Sequence, residues 1–238
     1  MGARVVRPPA LSAAVQGLDS GCSPIMGVNI MPKKLSYVLD GKKFDRDESV
    51  DPDIDADSYV DARAGVIRSY TDRKAFLKSF QDAGFQGNIQ DAVKKRDEIK
   101  TRYDAMNDLQ RAALQAEQVA EHAAKQRAIR NLLRKKGVSP EDHKALLKLH
   151  KAGEIGSMIV YDHAGCVGDW CYLPPVPHPK LSWYDWNDRI SSLYNLGVLA
   201  SLHQHTWFRG SCLWVPDFAC YKNLGWWNKR ISSIFFYS

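Results

Sequence analysis

Two stretches near the end of the chain repeat one another: Trp183-Tyr184-Asp185-Trp186-Asn187-Asp188-Arg189-Ile190-Ser191-Ser192-Leu193 and Leu224-Gly225-Trp226-Trp227-Asn228-Lys229-Arg230-Ile231-Ser232-Ser233-Ile234. Asn187 and Asn228 lie 41 positions apart, a period at which one supersecondary unit is repeated. Landmarks upstream keep step. Val160-Tyr161-Asp162-His163 with Gly168 opens the first copy, and Leu202-His203-Gln204-His205 with Phe208 and Gly210 opens the second. Chance and composition explain so many coincidences at one offset poorly. The repeat therefore defines a C-terminal unit over residues 156–238, and all seven tryptophans of the chain fall after residue 169.

Working outward, the chain of 238 residues has room for one large or two small domains, and its 45% hydrophobic and 25% charged content is that of a globular protein. A net charge of +6 reads as solvated surface charge. No apolar run reaches the ~18–20 residues of a membrane span, and no secretory signal or other targeting segment is evident. The default expectation is a cytoplasmic protein. Secretion is expected instead if Cys166, Cys171, Cys212 and Cys220 form two disulfides; in a reducing compartment they are buried thiols. Their spacing lacks the tight pairs of a zinc knuckle.

Residues 1–33 read as a disordered leader. Residues 34–86 read as a small α/β module. Asp40-Gly41 turns a hairpin, residues 65–70 have strand character, and Thr71 or Asp72 caps a helix carrying Phe76, Leu77 and Phe80 that stops at Gly84. The acidic segment 45–61 has Asp51, Asp53, Asp55 and Asp57 at alternate positions. Ala56 and Ala62 stand where a calcium loop needs glycine and glutamate, so it reads as a solvated loop.

Residues 87–155 read as helical. From 88 to 136 there is neither proline nor glycine, which predicts one long helix ending at Gly137. Ile99, Met106, Ala113 and Ala120, with Leu109, Ala116 and Ala123, form a heptad seam suited to a partner helix. The basic end from Arg127 to Lys136 reads as a solvated helix terminus; nucleic acid is an unlikely partner. Pro140 opens a shorter helix through Leu146, Leu147 and Leu149.

The doubled segment resembles the βγ-crystallin family, whose Greek-key motifs come in pairs and whose signature is Asn/Asp-Asn/Asp-x-x-Ser/Thr-Ser. The resemblance covers about a third of the chain. It implies an α+β protein whose C-terminal unit is an all-β double Greek-key sandwich of the microbial calcium-binding type. It also implies one weak calcium site at most. The first site would use the Asp188 side chain, the Arg189 carbonyl and the Ser191 hydroxyl, with Gln204 in the partner loop. The second would use the Arg230 carbonyl and Ser232 with the loop around Asp162. Lys229 departs from the signature there, and an ammonium beside a divalent cation repels it. Without calcium, the same serines and asparagines tie down turns through local hydrogen bonds.

Trp183, Trp186, Trp226 and Trp227 are expected as interior packing rather than a carbohydrate platform, and His203 with His205 as structural. No phosphate loop, nucleophile elbow or metalloprotease helix motif is present, so the expectation is a non-enzymatic structural or binding protein. Two alternatives stand beside it. One is an inhibitor of a secreted protease, presenting residues 173–179 with Pro174, Pro175, Pro177 and Pro179 as an exposed, pre-ordered loop. The other is an assembly component acting through the long helix.

Overall fold

The computed structural model describes residues 36–44, 56–61, 66–82, 89–216 and 219–237. Strands β1 (Ser36–Leu39) and β2 (Lys42–Phe44) form the expected hairpin. Its turn needs two consecutive residues with positive φ, which Asp40 (46°) and Gly41 (82°) supply. The Asp40 carboxylate accepts from the N–H and hydroxyl of Thr71, which locks the hairpin to the end of the neighbouring strand.

The acidic segment is not all loop. Its end, Asp57–Asp61, is a strand, β3, because Ser58 and Tyr59 find buried partners across β4 (Val66–Tyr70) and β9 (Arg209–Val215). Residues 45–55 lie outside the described residues, as do the leader and Gly84. Helix α1 (Arg73–Asp82) is capped by Asp72, whose carboxylate accepts from the N–H groups of Lys74 and Ala75. It buries Phe76 and Phe80 against Tyr59 and Trp214.

The single long helix is corrected to two. Helix α2 (Ile89–Asp104) ends before Asn107, which starts α3 (Asp108–Lys136) with a capping box. The Asn107 side chain accepts from the Gln110 N–H, and the Gln110 side chain accepts from the Asn107 N–H. A polar cap can thus break a run that contains no proline or glycine. The heptad seam lies on the outer side of α3. Ala113, Ala116, Ala120 and Ala123 are exposed, and Leu109 is 81% exposed. The inward face is instead Leu114, Gln118, His122, Gln126, Ile129 and Leu133, at spacings of three and four. Gly137 ends α3 in the left-handed region (φ 64°), as expected. Helix α4 (His143–Lys151) is capped by Asp142, so Pro140 sits in the preceding turn rather than at the first helical position.

The C-terminal unit begins with β5 (Met158–His163), β6 (Val167–Leu173) and β7 (Ser192–Asn195), followed by β8 (Ala200–His205) and β9. The short β10 (Cys220–Tyr221) and β11 (Ser233–Phe236) complete it. The repeats exchange a strand. β10, from the second copy, pairs with β7 of the first, giving a sheet in the order β10-β7-β5-β6. In return His178, from the first copy, bridges Ile234 in β11. The other sheet runs β11-β8-β9-β3-β4-β1-β2, so the N-terminal strands continue the second repeat's sheet through a parallel β3–β9 pair.

Equivalent positions of the repeat enter one core: Trp186 with Trp227, Ile190 with Ile231, and Leu193 with Ile234. Trp183 and Trp226 are half-buried. The proline-bearing segment 173–179, expected as an exposed loop, is packed at both ends, with Pro175 exposed between them. Leu173, Pro174, His178 and Pro179 are buried, and the Gln118 side chain donates to the Pro177 carbonyl at 3.0 Å. Among the described residues no helix is long and apolar enough to cross a membrane.

Candidate functional site

The two Trp-Asn turns are built alike. The N–H of Ser191 donates to the Tyr161 carbonyl at 2.8 Å, and that of Ser232 to the His203 carbonyl at 2.9 Å. The Ser192 hydroxyl donates to the His163 carbonyl and accepts from the Cys166 N–H. Ser233 does the same with the His205 carbonyl and the Phe208 N–H. The turns then cross. The N–H of Asp188 reaches the Ile231 carbonyl at 3.1 Å, and that of Lys229 reaches the Ile190 carbonyl at 2.9 Å. Asp188 and Lys229 sit at matching left-handed φ values of 52° and 57°.

This crossing regroups the residues singled out in the sequence. Asp188 meets Ser232 of the other repeat, not Ser191: the Ser232 hydroxyl donates to its carboxylate at 3.2 Å. Ser191 instead donates to the Asp162 carbonyl at 2.8 Å. The physical reason is that each signature strand leaves its own turn and runs beside the turn of its partner. The Asp188 carboxylate is exposed and accepts from the Ser232 hydroxyl and, at its second oxygen, from the Asn187 amide N–H. Oxygen atoms of this kind are what a hard cation takes, and Asp188 with Ser232 could hold one.

The pseudo-equivalent position does not fit a cation. Lys229 replaces the carboxylate, and Arg230 lies over the Trp226 ring at 4.5 Å. The Asp162 carboxylate is already taken by the Arg189 guanidinium at 3.3 Å, which also reaches Asp169 at 3.2 Å, and by His163 at 2.6 Å. Burial would raise the Asp162 carboxyl, but hydrogen bonds from His163 and Arg189 hold it below the usual carboxylate range. The chain's own cation stands where a metal would be repelled. Gly168 and Gly210 make both corners possible. A Cβ on Gly168 would collide with the side chains of Asp162 and His163, and one on Gly210 with the His205 ring.

A second group of polar side chains lies under α3. Gln126 accepts from the Tyr172 N–H at 2.7 Å, and His122 stacks on Tyr184 with ring centres 4.2 Å apart. His178 donates through Nε2 to the Pro174 carbonyl at 3.0 Å. Burial lowers the pKa of His178 to about 4, and burial, with the charges of Arg96 and Lys100, takes His203 well below the usual value. Both are depressed in the folded chain relative to about 6.5 unfolded. The unfolded chain therefore binds more protons between those values, and stability falls as pH drops from about 6.5 toward 4. The expected slope is up to about 1.4 kcal/mol per pH unit for each histidine. Urea unfolding across that range measures it, and a His178→Asn chain should show a slope shallower by one proton.

All four C-terminal cysteines are free thiols, with Cys166, Cys171 and Cys212 buried and Cys220 half-buried. Cys171 contacts His122, and Cys212 donates to Asp57 at 2.8 Å. Cys166 and Cys220 face each other at 4.0 Å, with His143 Nδ1 3.6 Å from the Cys220 sulfur. Hydrogen bonding with Cys166, and then with His143, pulls the Cys220 thiol down, while the Cys220 contact and burial push Cys166 up. Sequence spacing could not find this trio, because its members are 23 and 54 positions apart.

Two β-rich repeats that exchange a strand and close on crossed Trp-Asn turns make up the C-terminal unit. Solved structures of βγ-crystallin domains are similar to this part of the chain. The N-terminal domain of Protein S is 28% identical, covering 35% of this chain and 97% of its own, with a TM-score of 0.32. A βγ-crystallin domain from Flavobacterium johnsoniae is 26% identical over 34% of this chain and 94% of its own, with a TM-score of 0.31. A βγ-crystallin from Ciona intestinalis is 20% identical over 34% of this chain and all of its own, with a TM-score of 0.32. No protein-family model and no curated protein matches the sequence.

Proposed function

We propose that the protein is a non-enzymatic structural or binding protein whose βγ-crystallin-type domain takes one calcium ion at the crossed turns. The observation that carries this reading is the exposed Asp188 carboxylate set 3.2 Å from the Ser232 hydroxyl of the other repeat. An ion there would hold both turns together at the point where they cross. Because only the folded chain assembles these donors, binding stabilises the fold by about 2.7 kcal/mol when calcium is at 100 times its dissociation constant. Arg189 and Lys229 restrict the domain to this single site.

Calorimetric titration of calcium into the full chain tests the proposal, beside Asp188→Ala and Ser232→Ala copies. One binding event per chain is expected, with a rise in Tm that both substitutions remove. If millimolar calcium gives neither heat nor a shift in Tm, the turns serve only as a structural clasp and the calcium reading is lost.

A further inference from the structure

We propose that His143, Cys166 and Cys220 form a zinc site, three protein donors with one open position, that clips α4 to the four-stranded sheet. The donors come from three separate parts of the fold: the first turn of α4, the β5–β6 turn and β10. Their ligand atoms all lie within 4.8 Å of one another. This centre is independent of the crossed turns, so its failure and that of the calcium reading are separately visible.

Distances decide between a metal and a disulfide. Zinc bonds of ~2.3 Å to sulfur and ~2.0–2.1 Å to nitrogen, at tetrahedral angles, place two sulfurs about 3.8 Å apart and a sulfur and nitrogen about 3.6 Å apart. The Cys166–Cys220 and Cys220–His143 separations are 4.0 and 3.6 Å, so two edges of the tetrahedron need only a few tenths of an ångström, and the third, within 4.8 Å, needs at most about 1.2 Å. A disulfide needs the sulfurs at ~2.05 Å, a closure of about 2 Å. Cys166 is held at φ 59° with its N–H on the Ser192 hydroxyl. The His143 ring is seated against Tyr194 at 4.8 Å.

Donor chemistry agrees. Two thiolates and an imidazole select a borderline-soft cation and offer calcium no oxygen. Each thiol that binds releases its proton to solvent, and Cys220 is only half-buried.

The test uses the reduced, metal-free full chain in a Cys22→Ser background, with cobalt(II) as a spectroscopic probe and then zinc in competition. One cobalt per chain is expected, with a thiolate charge-transfer band that one equivalent of zinc abolishes, and with a rise in Tm. His143→Ala and Cys220→Ser are each expected to weaken zinc by about 100-fold or more, the scale seen when even outer-shell partners are lost. Asp188→Ala should leave zinc unaffected. His143→Ala removes a half-buried side chain from a helix start, and its near-UV circular dichroism without metal verifies the fold. Absence of the charge-transfer band overturns the proposal. So does undiminished zinc affinity in the folded His143→Ala chain. Ready air oxidation of Cys166 and Cys220 to a disulfide, together with no zinc uptake by the reduced chain, would assign the pair to redox chemistry instead.

Discussion

Trp227→Ala is expected to lower the unfolding free energy by about 3–5 kcal/mol, the range for removing a buried large aromatic. Trp227 is fully buried in the core between the two sheets, among Ile190, Ile231 and Ile234. At this chain length that loss corresponds to a fall in Tm of roughly 10 °C. Trp227→Phe is the informative companion. The indole Nε1 is buried with no hydrogen-bond partner among the described residues, so phenylalanine removes volume but none of the described bonds and should cost less than about 2 kcal/mol. Trp186, its counterpart in the repeat, is slightly exposed, with the Arg189 guanidinium 4.8 Å from its ring. Trp186→Ala should therefore cost less than Trp227→Ala. Urea unfolding followed by circular dichroism separates the three, and equal losses at the two tryptophans would contradict this account of the core.

Arg96→Met is expected to cost about 3 kcal/mol. Arg96 is 5% exposed, donates to Asp97 at 3.1 Å, lies 3.9 Å from Asp57 and sits over the Trp214 ring at 5.8 Å. Removing one member of a buried charged pair costs about 3–5 kcal/mol, because the partner's charge is left behind. The low end applies because Asp57 keeps Arg73 at 3.5 Å and accepts from Cys212 and from the Trp214 indole. Combining Arg96→Met with Asp57→Asn removes both charges, so the double variant should be more stable than the sum of the singles predicts. Strict additivity would mean that Arg96 acts through packing of its stem alone.

Much of the C-terminal fold was legible because a repeat constrains its own reading. Trp186 and Trp227, Ile190 and Ile231, and Leu193 and Ile234 occupy equivalent sequence positions and all enter one core. The Asp40-Gly41 turn and the Asp72 cap were equally readable, since both depend on neighbours within a few residues. The break between α2 and α3 was written in the sequence as Asn107 with Gln110, yet a run free of proline and glycine outweighed it. The heptad of alanines does not mark the face that packs within the chain. Alanine favours helix without specifying which face is buried, and the buried face of α3 contains Gln118, His122 and Gln126.

By itself, the sequence determined that residues 156–238 hold two related β-rich units, that Trp186 and Trp227 pack inside them, and where the Asp40-Gly41 turn and the α1 cap lie. Local hydrogen bonding and hydrophobic periodicity act over short separations, and a repeat states them twice. Only the tertiary structure decided that Ser232 rather than Ser191 faces Asp188, that residues 173–179 lie packed against α3, and that β3 extends the second repeat's sheet. It alone brought His143, Cys166 and Cys220 together. Each of these depends on strands and turns crossing between distant segments, and no spacing along the chain encodes which atoms meet when they do.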